Sequence, residues 1–494
     1  MGRGAGDLPR DGRGVEPGHP PARRDRAAVR VSRRGFVGSL AAASAGIIAA
    51  RSLAEARGDA GHVRGGTQPN PRPRPSPSQL LWQRDELALF LHFGVNTFTD
   101  REWGDGTESP TIFNPSAFDA RQWARTARAA GFKAMILTAK HHDGFCLWPT
   151  ATTRHSVASS PFRGGRGDVV REFVDACAAE GLRAGVYLSP WDRNHPTYGD
   201  SAAYNDVYAA QLTELLTQYG PIHEVWHDGA NGEGPNGKRQ EYDWPRVWAL
   251  VKRLQPDAVI FSDAGPDVRW IGNEIGSAGE TNWSTVRPEI VPVPGLSGDE
   301  VMRSLQQGDR DGSVWRPGET DVSIRPGWFY HPAEDARVRS PENLEQLYFS
   351  SVGRNSKLLL NVPPTRRGLL HDADVRSLLG MRARLDARFA NEVSAGAARS
   401  FTSGDSRHAV AELRFREPSM VHTVDLAEEI SEGQRVAQFT LEGLDDGSWQ
   451  PLHRGSTIGY RRLIAFDSRR LAGLRLRIED AIEPPIPLRM RAFG

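Results

Sequence analysis

The sequence predicts an α/β protein, a (β/α)8-like barrel over residues 79–394 followed by a C-terminal antiparallel β-sandwich over 395–494. Three observations carry that expectation. From Gln79 to about residue 390, short apolar runs alternate with amphipathic helical stretches, the pattern of a parallel sheet built from βα units, and this length suits a closed barrel of eight. No G-x-G-x-x-G turn follows the early strands, which removes the usual support for the rival doubly wound sheet. Past about residue 395 the runs become short and alternating, with turn residues between them, as in a sandwich.

Composition sets the outer bounds. With 38% hydrophobic and 25% charged residues among 494, the chain has room for one large core and a second, smaller one. A net charge of +1 leaves no electrostatic footprint for nucleic acid. The first 34 residues differ, with nine arginines against four acids, and end in the pair Arg33 and Arg34 with Phe36 two places on. An uncharged run from Gly35 to Ala50 follows, too short for a comfortable membrane span, and Ala54-Glu55-Ala56 supplies small residues for cleavage. In that order, these parts predict a twin-arginine export signal over residues 1–56 and a secreted or cell-envelope location for a mature chain without a membrane span. The basic bias belongs to the signal, which holds ten arginines and five acids. Residues 57–78, rich in proline and glycine, read as a semi-extended linker. Cys146 and Cys177 alone argue no disulfide framework, because substrates of this export route fold before they cross.

Each unit of the barrel has its own reason. The run "LALFLHFG" (87–94) is strand-like, and Ala120, Trp123, Ala127 and Ala130 fall on one face of a helix over 116–131. "FKAMILTAKHHDGF" (132–145) is a strand running into a polar turn, "VVREFVDACAAEG" (169–181) a helix and "RAGVYLSPWD" (183–192) a strand. The cycle continues with a helix at "YAAQLTELLTQYG" (208–220), a strand at "EVWHDG" (224–229), a helix at "DWPRVWALVKRL" (243–254) and a strand at "AVIFSDAG" (258–265). "ENLEQLYFSSVG" (342–353) is helical, "SKLLLNV" (356–362) a strand, and "DADVRSLLGMRARLDARF" (372–389) the last helix before a boundary near "NEVSAGAARSF" (391–401). Twelve of the thirteen tryptophans lie between Trp82 and Trp328, so aromatic faces for stacking on a sugar belong to the barrel.

In such a barrel the chemistry sits at the C-terminal ends of the strands. The residues closing these runs are His92, then His141, His142 and Asp143, then Tyr187 and Trp191, then Asp228, then Glu274 of "RWIGNE". Asp-Gly in "VWHDG" is also an ordinary hairpin turn signal, and any one polar strand end can simply meet solvent. His141 and His142 are adjacent, so on a strand they would face opposite ways and could share a metal only through a kinked loop. No H-E-x-x-H, cysteine cluster or G-x-S-x-G elbow appears, so neither a metal, another cofactor nor a serine nucleophile is expected. A pair of carboxylates with aromatic and imidazole company remains, the equipment of glycoside hydrolysis. One carboxylate attacks the anomeric carbon while the other, protonated, donates to the departing oxygen, and retaining enzymes hold them about 5 to 5.5 Å apart. Asp228, short and rooted at a strand end, suits the nucleophile. Glu274, longer and beside Trp270, suits the acid/base, with Glu280 of "GSAGETNW" as its competitor.

The stretches "FLHFGVNTFTDREWGDG", "AKHHDGFCLWPT", "GVYLSPWD", "VWHDGANG", "RWIGNE" and "SKLLLNVPP", in this order over residues 82 to about 390, resemble family 29 glycoside hydrolases, the retaining α-L-fucosidases. The resemblance implies a (β/α)8-like barrel with a C-terminal sandwich, a deoxysugar pocket and a fucosyl-enzyme intermediate. By motif, Asp228 corresponds to the nucleophile, and His92, His141, His142 and Tyr187 to fucose-contacting residues. Glu102 and Trp103 of "DREWGDG" and Trp328 of "RPGWFY" correspond less directly, and Trp191 joins them as a strand-end aromatic. "RWIGNE" is similar to the branch acting on α-1,3/1,4-linked fucose, with Glu274 as acid/base. His227 departs from the apolar residue expected before the nucleophile, and its place next to Asp228 should turn it outward. The implied substrates are fucosylated oligosaccharides or glycoconjugates. A non-catalytic fucose-binding protein on the same scaffold, or a retaining glycosidase for another sugar, are the alternatives, and bracing the barrel is the default role of the sandwich.

Overall fold

The computed structural model describes residues 72–494. The expected export signal, and the linker up to residue 71, lie outside the described residues. Helix Pro77–Asp85 begins inside the stretch expected to be linker, because Ser76 and Gln79 close a capping box and Pro77 occupies a first-turn position that needs no N–H.

Eight parallel strands then close a barrel in simple sequential order. They are β1 (Leu87–Leu91), β2 (Ala134–Lys140), β3 (Arg183–Leu188), β4 (Glu224–Trp226), β5 (Val259–Ser262), β6 (Val268–Trp270), β7 (Gly318–Ser323) and β8 (Ser356–Asn361). Helices follow seven of them. Between β5 and β6 only Asp263–Asp267 intervene, with no helix, so the fold departs from a regular eightfold βα repeat at this point. β7, "GETDVS", has no apolar run to announce it. It is nevertheless buried along its whole length and pairs with β8 over six residues. Its polar residues replace the usual aliphatics because they serve the barrel interior.

Side chains alternate in and out along each strand, so the interior reads in layers. At the floor, Glu224, Glu319 and Lys357 meet beneath Trp82 of the N-terminal helix. Lys357 Nζ lies 3.1 Å from Glu224 Oε2 and 3.8 Å from Glu319 Oε2, and Trp82 Nε1 donates to Glu224 Oε2 at 2.9 Å. Burial, then the neighbouring Glu224 charge, push the Glu319 carboxyl well above its usual range. Above this come Phe90, Trp226, Phe261 and Leu359, with Trp226 and Phe261 stacked at 4.0 Å and Trp226 Nε1 donating to Glu319 Oε1 at 3.0 Å. The third layer is the mouth.

The C-terminal region is one continuous six-stranded antiparallel sheet, beginning at Ala398. Its two long strands, Ala409–Ala427 and Arg462–Ala481, shift register between Arg414 and Ser419. Residues on both sides of that shift, such as Leu413 and Val424, share one apolar core, which is how a single sheet supplies both halves of the expected sandwich. It grips the barrel by Arg461, paired with Glu86 at 2.9 Å, and by Arg462, paired with Glu280. Its one tryptophan, Trp449, packs against the guanidinium groups of Arg414 and Arg475, 4.7 and 4.5 Å from the ring centre.

Candidate active site

Asp228 projects from just beyond β4 in the inward register set by Glu224 and Trp226. Its two oxygens are held from different sides. Oδ1 accepts the Ala230 N–H at 2.7 Å, and Oδ2 accepts the Tyr187 hydroxyl from the end of β3 at 3.1 Å. His142 Nε2 stands 4.0 Å from Oδ2. The carboxylate is thus pinned while 28% of its side chain stays open to the mouth. His227 turns outward as expected: its Nδ1 pairs with the Tyr208 hydroxyl at 2.8 Å and its ring meets Trp244 edge-on. It packs the barrel wall against two helices.

The two adjacent histidines behave differently from a strand pair. β2 ends at Lys140 after a register shift, and the chain turns at once, so both His141 and His142 reach the mouth with ring centroids 4.1 Å apart. His141 lies parallel to the Tyr187 ring at 5.8 Å, and His142 bonds Ser189 Oγ at 2.7 Å. Across the mouth, His92 Nδ1 pairs with Asn361 Oδ1 at 2.9 Å, and Asn361 Nδ2 donates to the Trp328 carbonyl at 2.8 Å. Burial holds His92 at about 3 and His141 well below the ordinary imidazole value. It also lowers His142, against the opposing pull of Asp228. All three rings are neutral, each able to donate through one nitrogen and accept through the other. His141 Nδ1 is buried and has no hydrogen-bond partner among the described residues.

Glu102 does not point freely into the pocket. It accepts the backbone N–H groups of Trp328 and Phe329 and pairs with His331 Nε2 at 3.0 Å, so it fixes the loop that presents Trp328. Trp328 packs 5.2 Å from His92. Trp103 is 57% exposed at the rim, edge-on to both His142 and Trp191, and Trp191 anchors its indole N–H on the Glu233 carbonyl at 3.0 Å. These side chains form the aromatic wall of the mouth, and its floor is the Phe90 and Trp226 layer.

Glu274 and Glu280 separate clearly. Glu274 sits in the turn after β6, exposed at the mouth, where its charge bears on Asp321 together with that of Asp228. From there the chain runs along helix Pro341–Ser350, with Ala278 N–H on the Ser350 carbonyl, and delivers Glu280 to the sandwich. Glu280 is clamped there by Arg354 and Arg462, whose charges overcome the effect of burial and lower its carboxyl.

Two residues of the site carried weak sequence signals. Asp321, 4% exposed, accepts the Trp270 indole N–H at 2.8 Å. Burial, then the charge of Glu274, raise its carboxyl well above the usual range. It lies on β7, which has no apolar pattern to reveal it. Asn361 closes the apolar run of β8, a strand-end signal of the same kind as His92.

Two carboxylates whose charges both reach Asp321, neutral imidazoles and an aromatic wall are the means of gripping and cleaving a sugar. Residues 82–387 match the family model described as Alpha-L-fucosidase. This chain belongs to the alpha-L-fucosidase family. The fucosidase is 43% identical over 440 residues to alpha-L-fucosidase 1 of Arabidopsis thaliana, covering 83% of this chain and 85% of that one. A solved glycoside hydrolase 29 family member from an unknown rumen bacterium is 41% identical, with a TM-score of 0.79 over 85% of the fucosidase and 77% of that chain. A Ruminococcus gnavus GH29 fucosidase in complex with fucose is 29% identical, with a TM-score of 0.78 over 87% of the fucosidase and 97% of that chain. The fucosidase is therefore a glycoside hydrolase acting on fucosylated glycans.

Proposed function

We propose that the protein is an exported, exo-acting α-L-fucosidase that removes terminal α-1,3/1,4-linked fucose with retention, Asp228 being the nucleophile and Glu274 the acid/base. The observation that carries this reading is the pinned but open Asp228 carboxylate, held by Tyr187 and Ala230 at the end of β4. Its attack on the anomeric carbon would give a fucosyl ester while Glu274 protonates the leaving oxygen. Water activated by Glu274 would then release fucose. His92, His141, His142 and Tyr187 would bind the sugar hydroxyls, and Trp328 and the neighbouring rings would pack on its apolar face. Glu280 opens instead to the seam with the sandwich, where Arg354 and Arg462 hold it in two ion pairs, which favours Glu274. The buried His92, His141, His142 and Tyr187 suit a small deoxysugar, and the exposed Trp103 and Ile275 at the rim suit the rest of the glycan.

The test is Asp228→Asn and Asp228→Gly assayed on an aryl α-L-fucoside beside aryl galactosides. Loss of several orders of magnitude in kcat, with the fold and fucose binding kept, is expected, because an amide or a bare backbone cannot attack. Retention of more than a few per cent of the activity, with contaminating enzyme excluded, would remove Asp228 from that role.

A further inference from the structure

The segments that follow β1 and β7 meet at His331, a mostly buried ring. Its Nδ1 lies 2.9 Å from Asp100 Oδ1, and its Nε2 lies 3.0 Å from Glu102 Oε2. Asp100 closes the short helix Val95–Thr99 after β1, and Glu102 and Trp103 come directly behind it. A carboxylate has no hydrogen to give, so a ring bonded to two of them donates from both nitrogens and is the imidazolium. Burial opposes that charge, yet the bonds to Glu102 and Asp100 outweigh it and raise the imidazole above its ordinary value. Glu102 also accepts the N–H groups of Trp328 and Phe329, the second at 3.3 Å. Gly327 approaches this junction so closely that an added Cβ would fall 2.8 Å from Glu102 Oε2 and 3.0 Å from His331 Cδ2.

We propose that His331 is a positioning residue of the sugar pocket: bonded as imidazolium to Asp100 and Glu102 at once, it fastens the loop carrying Trp328 to the segment after β1 and so sets the affinity for fucose. This rests on the reading of Trp328 as part of that pocket. A neutral ring has a single N–H. It can serve Asp100 or Glu102 but not both, and the nitrogen left bare then faces a carboxylate. The other charged groups at the junction do not stand in for the proton. Glu334, three residues on, adds a third carboxylate, and its Oε2 accepts the Gly327 N–H at 3.1 Å. Arg366, from the segment after β8, is 3.9 Å from Asp100 Oδ1. Arg325 turns to Asp374 and Asp335, and His371 also faces Asp335.

The effect reaches the pocket through the backbone of Trp328 and Phe329. Glu102 holds the Trp328 N–H from one side, and Asn361 Nδ2 holds its carbonyl at 2.8 Å from the other. So gripped, Trp328 packs 5.2 Å from His92, and Phe329 meets His141 edge-on at 5.0 Å. Glu102 turned or repelled by a bare His331 nitrogen loosens one side of that grip. Because the folded protein favours the protonated ring, the fastened state is complete at low pH. It is lost as pH rises through a value above the ordinary 6.5.

The test measures inhibition by free fucose, with KM and kcat on an aryl α-L-fucoside, from about pH 5.5 to about pH 9 in the parent and in His331→Gln, which is neutral throughout. At the acid end the variant should bind fucose about fivefold more weakly, the loss of one partly exposed charge-assisted bond. The ratio of variant to parent should fall toward unity at the alkaline end, where the parent ring is neutral too. The loss should appear in KM and not in kcat, because a wall contact made alike with the sugar and the transition state is uniform binding. A ratio that stays the same across the range, or a loss confined to kcat, overturns the proposal. Should His331→Gln fail to fold, Asp100→Asn supplies a second reading, since it keeps an oxygen for Nδ1 but removes a charge. The pH at which fucose affinity falls should then move down, and an unmoved fall overturns the proposal again. Trp328→Leu separates the two levels of the argument. Fucose inhibition unchanged in that variant removes Trp328 from the pocket and takes the fastening with it. With inhibition weakened there, a constant ratio in His331→Gln sinks the role of His331 alone.

Discussion

Replacing Lys357 by Met tests the charged floor beneath the active site. Methionine keeps most of the packing that places Lys357 Nζ 4.6 Å from the centre of the Trp82 ring, so the substitution reports chiefly on charge. Lys357 and the two carboxylates it faces are essentially without solvent contact. Removing one partner of a buried ion pair while the other remains typically costs about 3–5 kcal/mol, and that is the expected loss. The loss should also depend on pH. A buried carboxyl without its cation takes up a proton in the folded state, so the folded form then binds more protons than the unfolded form. Stability falls as pH rises in that case. The cost is absent below the unfolded value, near 4.5 for glutamate, and grows above it. The difference between variant and parent should therefore be larger at pH 8 than at pH 5. Urea unfolding followed by tryptophan fluorescence is the assay, because only Trp449 lies outside the barrel segment and the signal is nearly all barrel. Adding Glu224→Gln to Lys357→Met should recover a large part of the loss. A cost below about 1 kcal/mol, or one that is the same at both pH values, would refute the reasoning.

The parent protein should show the opposite trend from its imidazoles. His92 and His227 are held at about 3 by burial, and His141 and His142 are lowered. The stability they protect is complete above the unfolded value near 6.5 and is lost as pH falls toward 3, by up to about 1.4 kcal/mol per pH unit for each ring that stays neutral. A urea midpoint unchanged between pH 7.5 and 5 would contradict this. Glu274→Ala should harm natural linkages far more than aryl fucosides with acidic phenols, and azide should rescue it with formation of an α-fucosyl azide. Glu280→Ala should show neither effect, and the reverse pattern would exchange their roles. Changing Arg33 and Arg34 to lysine should retain the precursor inside the cell, since the export route is expected to read the arginine pair and not charge alone, and unchanged secretion would point to another route.

The alternating pattern from Gln79 onward was enough to imply the barrel, because aliphatic runs such as "AMILTAK" and "SKLLLN" are what a strand buried on both faces requires. The strand-end rule then found His92, Tyr187 and Asp228, whose inward register follows from a period of two. It missed β7, since "GETDVS" fills the barrel with Glu319 and Asp321, and only the partners Lys357, Trp226 and Trp270 make such residues tolerable inside. Periodicity also placed His141 and His142 on opposite faces. The chain leaves β2 one residue earlier, and that turn brings both rings to the mouth.

Sequence by itself determined most of the barrel's strands and helices, though not β7, and which residues stand at the ends of the strands it revealed, since each depends on near neighbours in the chain. Tertiary structure decided how those residues are used. Glu274 and Glu280 are six places apart and chemically alike, yet one opens to the mouth and the other is locked between Arg354 and Arg462. A carboxyl's charge and role are set by the groups that surround it in space, and the fold brings those groups from separate parts of the chain, Arg462 from the sandwich among them.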